Sequence, residues 1–335
     1  MASNRGSDMG RVLFLLLTVA LAGEARGQQL YNGSGGGMAA EVDKMYLKGL
    51  VYLQRTQAEE GDWPDEPRGT EQALTAFAVI SFLAHGDDPN FGPYAKTVHR
   101  GLDFILKKMD QDTGYIGPTM YNHGFATLAL AESYGAVDDP RLGPALQKAI
   151  RLIVSAQEQN ALHAWRYSPE AKDADTTVSG AQMVALLAAR NAGMPVPQRT
   201  IQNGLDFFLS CQTSDGGFGY ISPIAPNATR TAIGCVVLAL AKEKNTAAFK
   251  AAFNFLKTAP PDAQYPQYFL YYASQAFFHG SPEAWQTWNR ENVRSLQGSQ
   301  GPDGNWDGQF GPTFATAGSL LSLALNYRYL PIYER

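Results

Sequence analysis

Cysteine is almost missing from this sequence. Only Cys211 and Cys235 occur in 335 residues, so no dense disulfide framework holds the chain together and its stability must come from apolar burial. The two thiols can pair with each other or sit apart on apolar helix faces; the spacing leaves both open. Histidine is scarce as well: His85, His99, His123, His163 and His279 are the whole set. No two stand at ligand spacing, so no metal site and no cofactor is expected. Charged residues are 17% of the chain with a formal net charge of −4 and no basic stripe, which excludes nucleic acid as a partner. Sustained period-2 alternation between turns is absent, and with it the signature of a sheet.

The N-terminus reads as a targeting segment. Arg5 and Arg11 precede an apolar run from Val12 to Ala22, and small residues follow at Ala25 and Gly27. A run of that length is too short for a transmembrane helix, but it matches a secretory signal cleaved near Gly27-Gln28. Residues 1–27 are therefore expected to be a signal peptide, 28–40 a Gly-rich leader and 41–335 the folded domain of an exported, periplasmic or extracellular protein.

What the chain has in abundance is repetition. Gln57 precedes Trp63 by six residues, Gln212 precedes Phe218 by six and Gln300 precedes Trp306 by six; Met109 and Tyr115 keep the spacing, and Gln157 and Trp165 keep it with two residues added. The anchors at 63, 115, 165, 218 and 306, with a weaker one at Tyr265, recur every 41 to 53 residues. Such a period marks a repeat architecture. Each copy consists of an amphipathic helix, a Gly-rich turn carrying the aromatic, and an Ala/Leu-rich helix. Examples of the second helix are TEQALTAFAVISFL, DTTVSGAQMVALLAA and FATAGSLLSLAL.

Helices polar on one face belong outside a fold, and helices apolar nearly all round belong inside it. Six such hairpins can close into a ring, each burying its apolar face against its neighbours. The expected fold is all-α: an α/α toroid of six helical hairpins with six inner and six outer helices. The repeated Gln and aromatic are expected to lock the turns, the Gln to backbone groups and the indole to the next repeat.

The stretch Lys48-Gly49-x-x-Tyr52-Leu53-x-x-x-Gln57, followed by Gly61-x-Trp63, resembles the QW motif of the terpene-cyclase and protein-prenyltransferase superfamily. The resemblance spans the mature chain, and it is nearest to the secreted bacterial prenyltransferase/squalene-oxidase-repeat proteins. It implies a central aromatic-lined cavity at the inner-helix N-termini and does not imply one function. Class II cyclases of the superfamily protonate an alkene or epoxide with an Asp-x-Asp-Asp motif whose middle Asp is the acid. Asp173-Ala174-Asp175-Thr176-Thr177 matches it with Thr176 in place of the last Asp. The Asp-Cys-His zinc site of protein prenyltransferases has no counterpart, and neither has the thioester Cys-Gly-Glu-Gln of complement-type toroids.

A cyclase acid must stay protonated in a dry site, among aromatic faces that stabilise carbocations. Asp175, with Asp173 beside it, is the candidate acid, and Tyr268, Tyr271, Tyr272, Phe277 and Phe314 are candidate aromatics. The competing reading makes Asp175 or Thr176 an ordinary N-cap, with Thr70, Asn122 and Thr313 as its counterparts in other repeats. His123 is the remaining candidate catalyst. Glu71, Thr176, Arg230, Tyr268, Tyr271, Tyr272, Thr313 and Phe314 are expected to contact a ligand at the same mouth. Asn227-Ala228-Thr229 is a glycosylation sequon.

Three functions follow. The first is an exported cyclase-like repeat protein with class II chemistry at Asp175. The second is a non-catalytic binding or scaffold toroid of the cell envelope, and the third a glycan-active lyase or hydrolase. The partner in each case is a hydrophobic or glycan small molecule.

Overall fold

The computed structural model describes residues 36–65 and 69–333; the expected signal peptide and most of the leader lie outside them. Among the described residues there are twelve α-helices and no named strand. The odd-numbered helices are α1 (Gly36–Thr56), α3 (Ala95–Lys108), α5 (Leu142–Glu158), α7 (Gln198–Ser210), α9 (Ala247–Thr258) and α11 (Pro282–Ser299). The even-numbered ones are α2 (Glu71–His85), α4 (Met120–Ser133), α6 (Thr176–Asn191), α8 (Ala228–Leu240), α10 (Pro266–Gly280) and α12 (Gly311–Ala324). Helix α1 begins inside the stretch expected to be leader.

The even helices are buried along nearly their whole length, as at Leu74–Ala84 of α2 and Val178–Ala189 of α6. The odd helices bury one stripe and expose the other. Each even helix packs on the even helices before and after it, and α12 packs back on α2. The even helices therefore form a closed inner ring and the odd ones an outer ring, the α/α toroid expected from the repeats. No helix among the described residues is long and apolar enough to cross a membrane.

The conserved geometry of the turns explains the repeated sequence. Gln57 Nε2 donates to the carbonyls of Gly61 (2.9 Å) and Thr97 (3.0 Å), tying its own turn to the next outer helix. Gln212 does the same with Gly216 and Ala248, and Gln300 with Gly304 and Met45. The indole N–H groups of Trp63, Trp165 and Trp306 donate to Leu53, Ile153 and Leu296 of their own outer helices. The amide thus reaches the next repeat and the indole stays at home, a correction to the expected division of labour. Gly61, Gly216 and Gly304 all hold φ near +95°, and a Cβ there would strike the backbone of the following outer helix. Only glycine meets both demands.

Cys211 and Cys235 are free and buried. The bland alternative of two packed thiols is the one found.

Candidate functional site

The N-terminal ends of the inner helices are stitched together by polar side chains. Asp175 caps α6: its Oδ1 accepts the N–H groups of Thr177 (2.8 Å) and Val178 (2.9 Å) and the hydroxyl of Thr177 (2.6 Å). Asn227 caps α8 through the N–H of Arg230. Asp262 accepts from the hydroxyl of Thr229 and lies 3.4 Å from Asn227 Nδ2. Asn227 is thus spent on the helix end and Thr229 is buried, so the sequon is part of the stitching.

Other caps come from neighbouring repeats. Thr70 makes no side-chain cap bond to α2; instead Asn122 of α4 accepts from the N–H of Ala73 and donates to the carbonyl of Gly69. The cap of α4 is Thr119, not Asn122. Thr313 does not cap α12 but lies within it, its N–H and hydroxyl both bound by Asp65 from the turn before α2. Glu71 bends back so that its carboxylate accepts the N–H of Gly69 (3.0 Å).

Above α6 sits a guanidinium that sequence reasoning missed. Arg166 Nη1 lies 3.3 Å from Asp175 Oδ2, and its Nε lies 3.5 Å from Asp173, which is 67% exposed. The Arg166 guanidinium packs over both Tyr167 and Tyr220, 5.0 and 5.1 Å from the ring centroids, and the two phenol oxygens are 2.9 Å apart. Arg230 approaches the Tyr220 ring (5.9 Å) and donates to the carbonyl of Ala225. Thr176 is not at a ligand surface: it is buried and binds the carbonyl of Gly219 with its hydroxyl and that of Tyr220 with its N–H.

The aromatic set forms a floor beneath this rim. Tyr121, Tyr268 and Phe314 are half-buried. Tyr121 donates to the hydroxyl of Thr177 and stands 5.9 Å from Tyr167. Under them Phe77, Phe125, Tyr271 and Tyr272 are buried. Phe77 meets Phe125 at 4.6 Å, Tyr271 at 5.0 Å and Phe314 at 5.3 Å. Phe125 on α4 also reaches Tyr268 on α10, directly across the ring, at 6.5 Å. Side chains from opposite inner helices thus close the centre, and the half-buried Tyr121, Tyr268 and Phe314 cover it at the N-terminal end as an aromatic floor, the cup. Tyr271 and Tyr272 lie below that floor, and Phe277 lies farther down α10, stacked on Trp288 at 4.6 Å. Burial pushes the phenols of Tyr121, Tyr268, Tyr271 and Tyr272 up, so all four stay neutral.

His123 is not in the cup. It is fully buried; Nδ1 accepts the N–H of Ile116 (3.2 Å) and Nε2 lies 3.1 Å from the carbonyl of Ala149. Burial holds its pKa down at about 4, so it is a neutral imidazole fastening the 116 turn and α5 to α4. This corrects the catalytic expectation: both nitrogens are occupied by backbone. No group of three or more His, Cys, Asp or Glu side chains placed to hold a metal occurs among the described residues.

No family model matches the chain, and no curated protein matches its sequence. Solved structures do match in shape. A variant of the type II terpene cyclase MstE from Scytonema, bound to geranylgeranyl dihydroxybenzoate, aligns over 88% of this chain and 99% of its own with a TM-score of 0.60 at 16% identity. The GH76A α-1,6-mannanase from Salegentibacter sp. HEL1_6 aligns over 86% and 99%, with a TM-score of 0.65 at 7% identity. A family 76 glycoside hydrolase from a bovine Bacteroides thetaiotaomicron strain gives 0.63 at 8% identity, over 85% and 77%. At these identities the likeness is one of fold, shared by proteins of unlike chemistry.

Proposed function

We propose that the protein is an exported, non-catalytic toroid that holds a hydrophobic small molecule in the aromatic cup at the inner-helix N-termini. Tyr121, Tyr268 and Phe314 would floor the ligand, and Arg166, Tyr167, Tyr220 and Arg230 would frame its outer end. The observation that carries this reading is the engagement of Asp175. An acid that starts a cyclisation must aim a proton at the substrate from a dry carboxyl group. Here one oxygen of Asp175 accepts three hydrogen bonds and the other faces a guanidinium at 3.3 Å. Three donors on one oxygen suit a side chain held in place as a cap, while the other oxygen, buried without a hydrogen-bond partner, faces the guanidinium alone. Two further candidates are engaged as well, His123 by two backbone groups and Glu71 by Gly69, whereas Asp173 is 67% exposed and faces Arg166 at 3.5 Å. The engagement of His123 and Glu71 weighs against either as the base of a glycan-cleaving reaction.

The test is product analysis by mass spectrometry after incubation with squalene and the common prenyl diphosphates, with native mass spectrometry of the same mixtures. The expected result is retained, unchanged ligand in the wild type and weakened retention in Tyr268→Ala. New cyclic products that disappear in Asp175→Asn would overturn the reading and make Asp175 an acid.

A further inference from the structure

The last residues of the described chain cross the end of the ring opposite the cup. After α12, Tyr327 packs edge-on against Tyr46 of α1 at 5.1 Å and donates to Asp43. Arg328 lies over Phe278 of α10 at 5.0 Å. Tyr329 rests against Gly86, which ends α2, so closely that a Cβ there would collide with the ring. Pro331 joins Asn191 of α6, Leu240 at the end of α8 and His279 of α10 around a small cavity. Residues Pro331–Tyr333 form one 3-10 turn against α6. Leu330, Ile332 and Tyr333 are buried. One short segment thus touches elements all round the ring.

Its inner attachment is Glu132, one residue before the end of α4. The carboxyl is buried, accepts the backbone N–H of Ile332 through one oxygen and leaves Oε2 without a hydrogen-bond partner. Among the described residues no cation forms an ion pair with it. The ionisable groups facing it are the phenols of Tyr271 on α10 and Tyr333 in the segment itself, both pushed up by burial and neutral. The flanking α2, α5 and α6 supply no ion-pair partner. The end of a helix, where the carbonyls point, also disfavours a negative charge. A carboxylate in this place is unsupported, whereas a carboxylic acid is tolerated. Arg328, near the start of the segment, holds φ +61°, in the region that favours glycine.

We propose that residues 327–333 are a latch that seals this end of the ring, closed while Glu132 is protonated and released when it ionises. Opening lets water reach the carboxylate, so the open state takes over as protons leave. Burial raises the Glu132 pKa from 4.5 to about 8. The closed form therefore binds the proton more tightly than the open form. The latch is fully favoured below about 4.5, weakens as pH rises, and reaches its weakest state above about 8. This holds whatever the cup binds.

The experiment is hydrogen–deuterium exchange of the purified protein between pH 5 and 9, corrected for the intrinsic pH dependence of exchange. It follows the C-terminal peptide from Tyr327, with α7 as internal reference. The expected result is a fall in protection of the C-terminal peptide of about tenfold or more, with α7 unchanged and the fall absent in Glu132→Gln. Glu132→Met serves as a second neutral replacement should glutamine disturb the fold. A flat wild-type profile overturns the proposal, and so does an equal fall in the neutral variants.

Discussion

Arg166 and Asp175 divide one carboxylate between two tasks: Oδ2 faces the guanidinium at 3.3 Å, while Oδ1 binds the first free N–H groups of α6. Asparagine keeps a capping oxygen but gives up the charge, and alanine gives up both. Asp175→Asn is therefore expected to cost about 1 kcal/mol in urea unfolding and Asp175→Ala about 2–3 kcal/mol, the extra loss coming from uncapped buried N–H groups. Equal losses in the two variants would show that the charge, not the cap, matters.

Asp65 and Thr313 are 248 positions apart and bonded twice, backbone N–H and hydroxyl to the two carboxylate oxygens. This contact ties the turn before the first inner helix to the start of the last one. Asp65→Ala removes both partners and is expected to lower stability by about 1–2 kcal/mol. Its exchange signature should be faster amides in the first turn of α12, with α6 protected as before. Faster exchange all round the ring would mean instead that Asp65 holds closure as a whole.

His123 makes the protein sensitive to acid. Its folded pKa is held at about 4 against an ordinary 6.5, so the unfolded chain binds the proton first as pH falls. The stabilisation is complete above about 6.5 and is lost as pH falls from there through 4, up to about 3 kcal/mol from this one group. His123→Gln, with a donor and an acceptor but no titration, should show a shallower loss of stability between pH 7 and 4. Parallel curves for the two proteins would remove His123 from the account.

The ring could be read from the sequence because every repeat restates it: Gln57, Gln212 and Gln300 recur with their aromatics, and α6 or α12 is apolar all round. The site was harder to read because its decisive contacts join residues far apart in the chain. Nothing near Asp65 announces Thr313, and Arg166 in Trp165-Arg166-Tyr167 carries no motif, although it governs how Asp175 is to be understood. Asp175 itself matched two patterns at once, an acid motif and a cap, and only the donors around its oxygens separate them. His123 misled for the same reason: an imidazole between two backbone groups and one in a pocket are the same letter. Glu132 was invisible because its partner, Ile332, lies in a tail with no helical period.

The glutamines of the turns provide a graded test of the repeat. Gln57, Gln212 and Gln300 each donate to two carbonyls, one in their own turn and one in the next outer helix, whereas Gln157 makes a single bond, to Thr200. Alanine at any of the first three removes both bonds and leaves the turn carbonyl without a donor, an expected cost of about 1–3 kcal/mol. Gln157→Ala, whose one carbonyl partner lies inside α7 and keeps its helical N–H, should cost less. The sites share no partners, so a double variant of Gln57 and Gln212 should lose close to the sum of the singles. Glutamate tests the direction of the bond: it fills the same space but brings an acceptor against two acceptors, so Gln212→Glu should be at least as damaging as Gln212→Ala. If glutamate were tolerated in chemical denaturation while alanine was not, the side chain would be filling volume and the hydrogen bonds would be incidental.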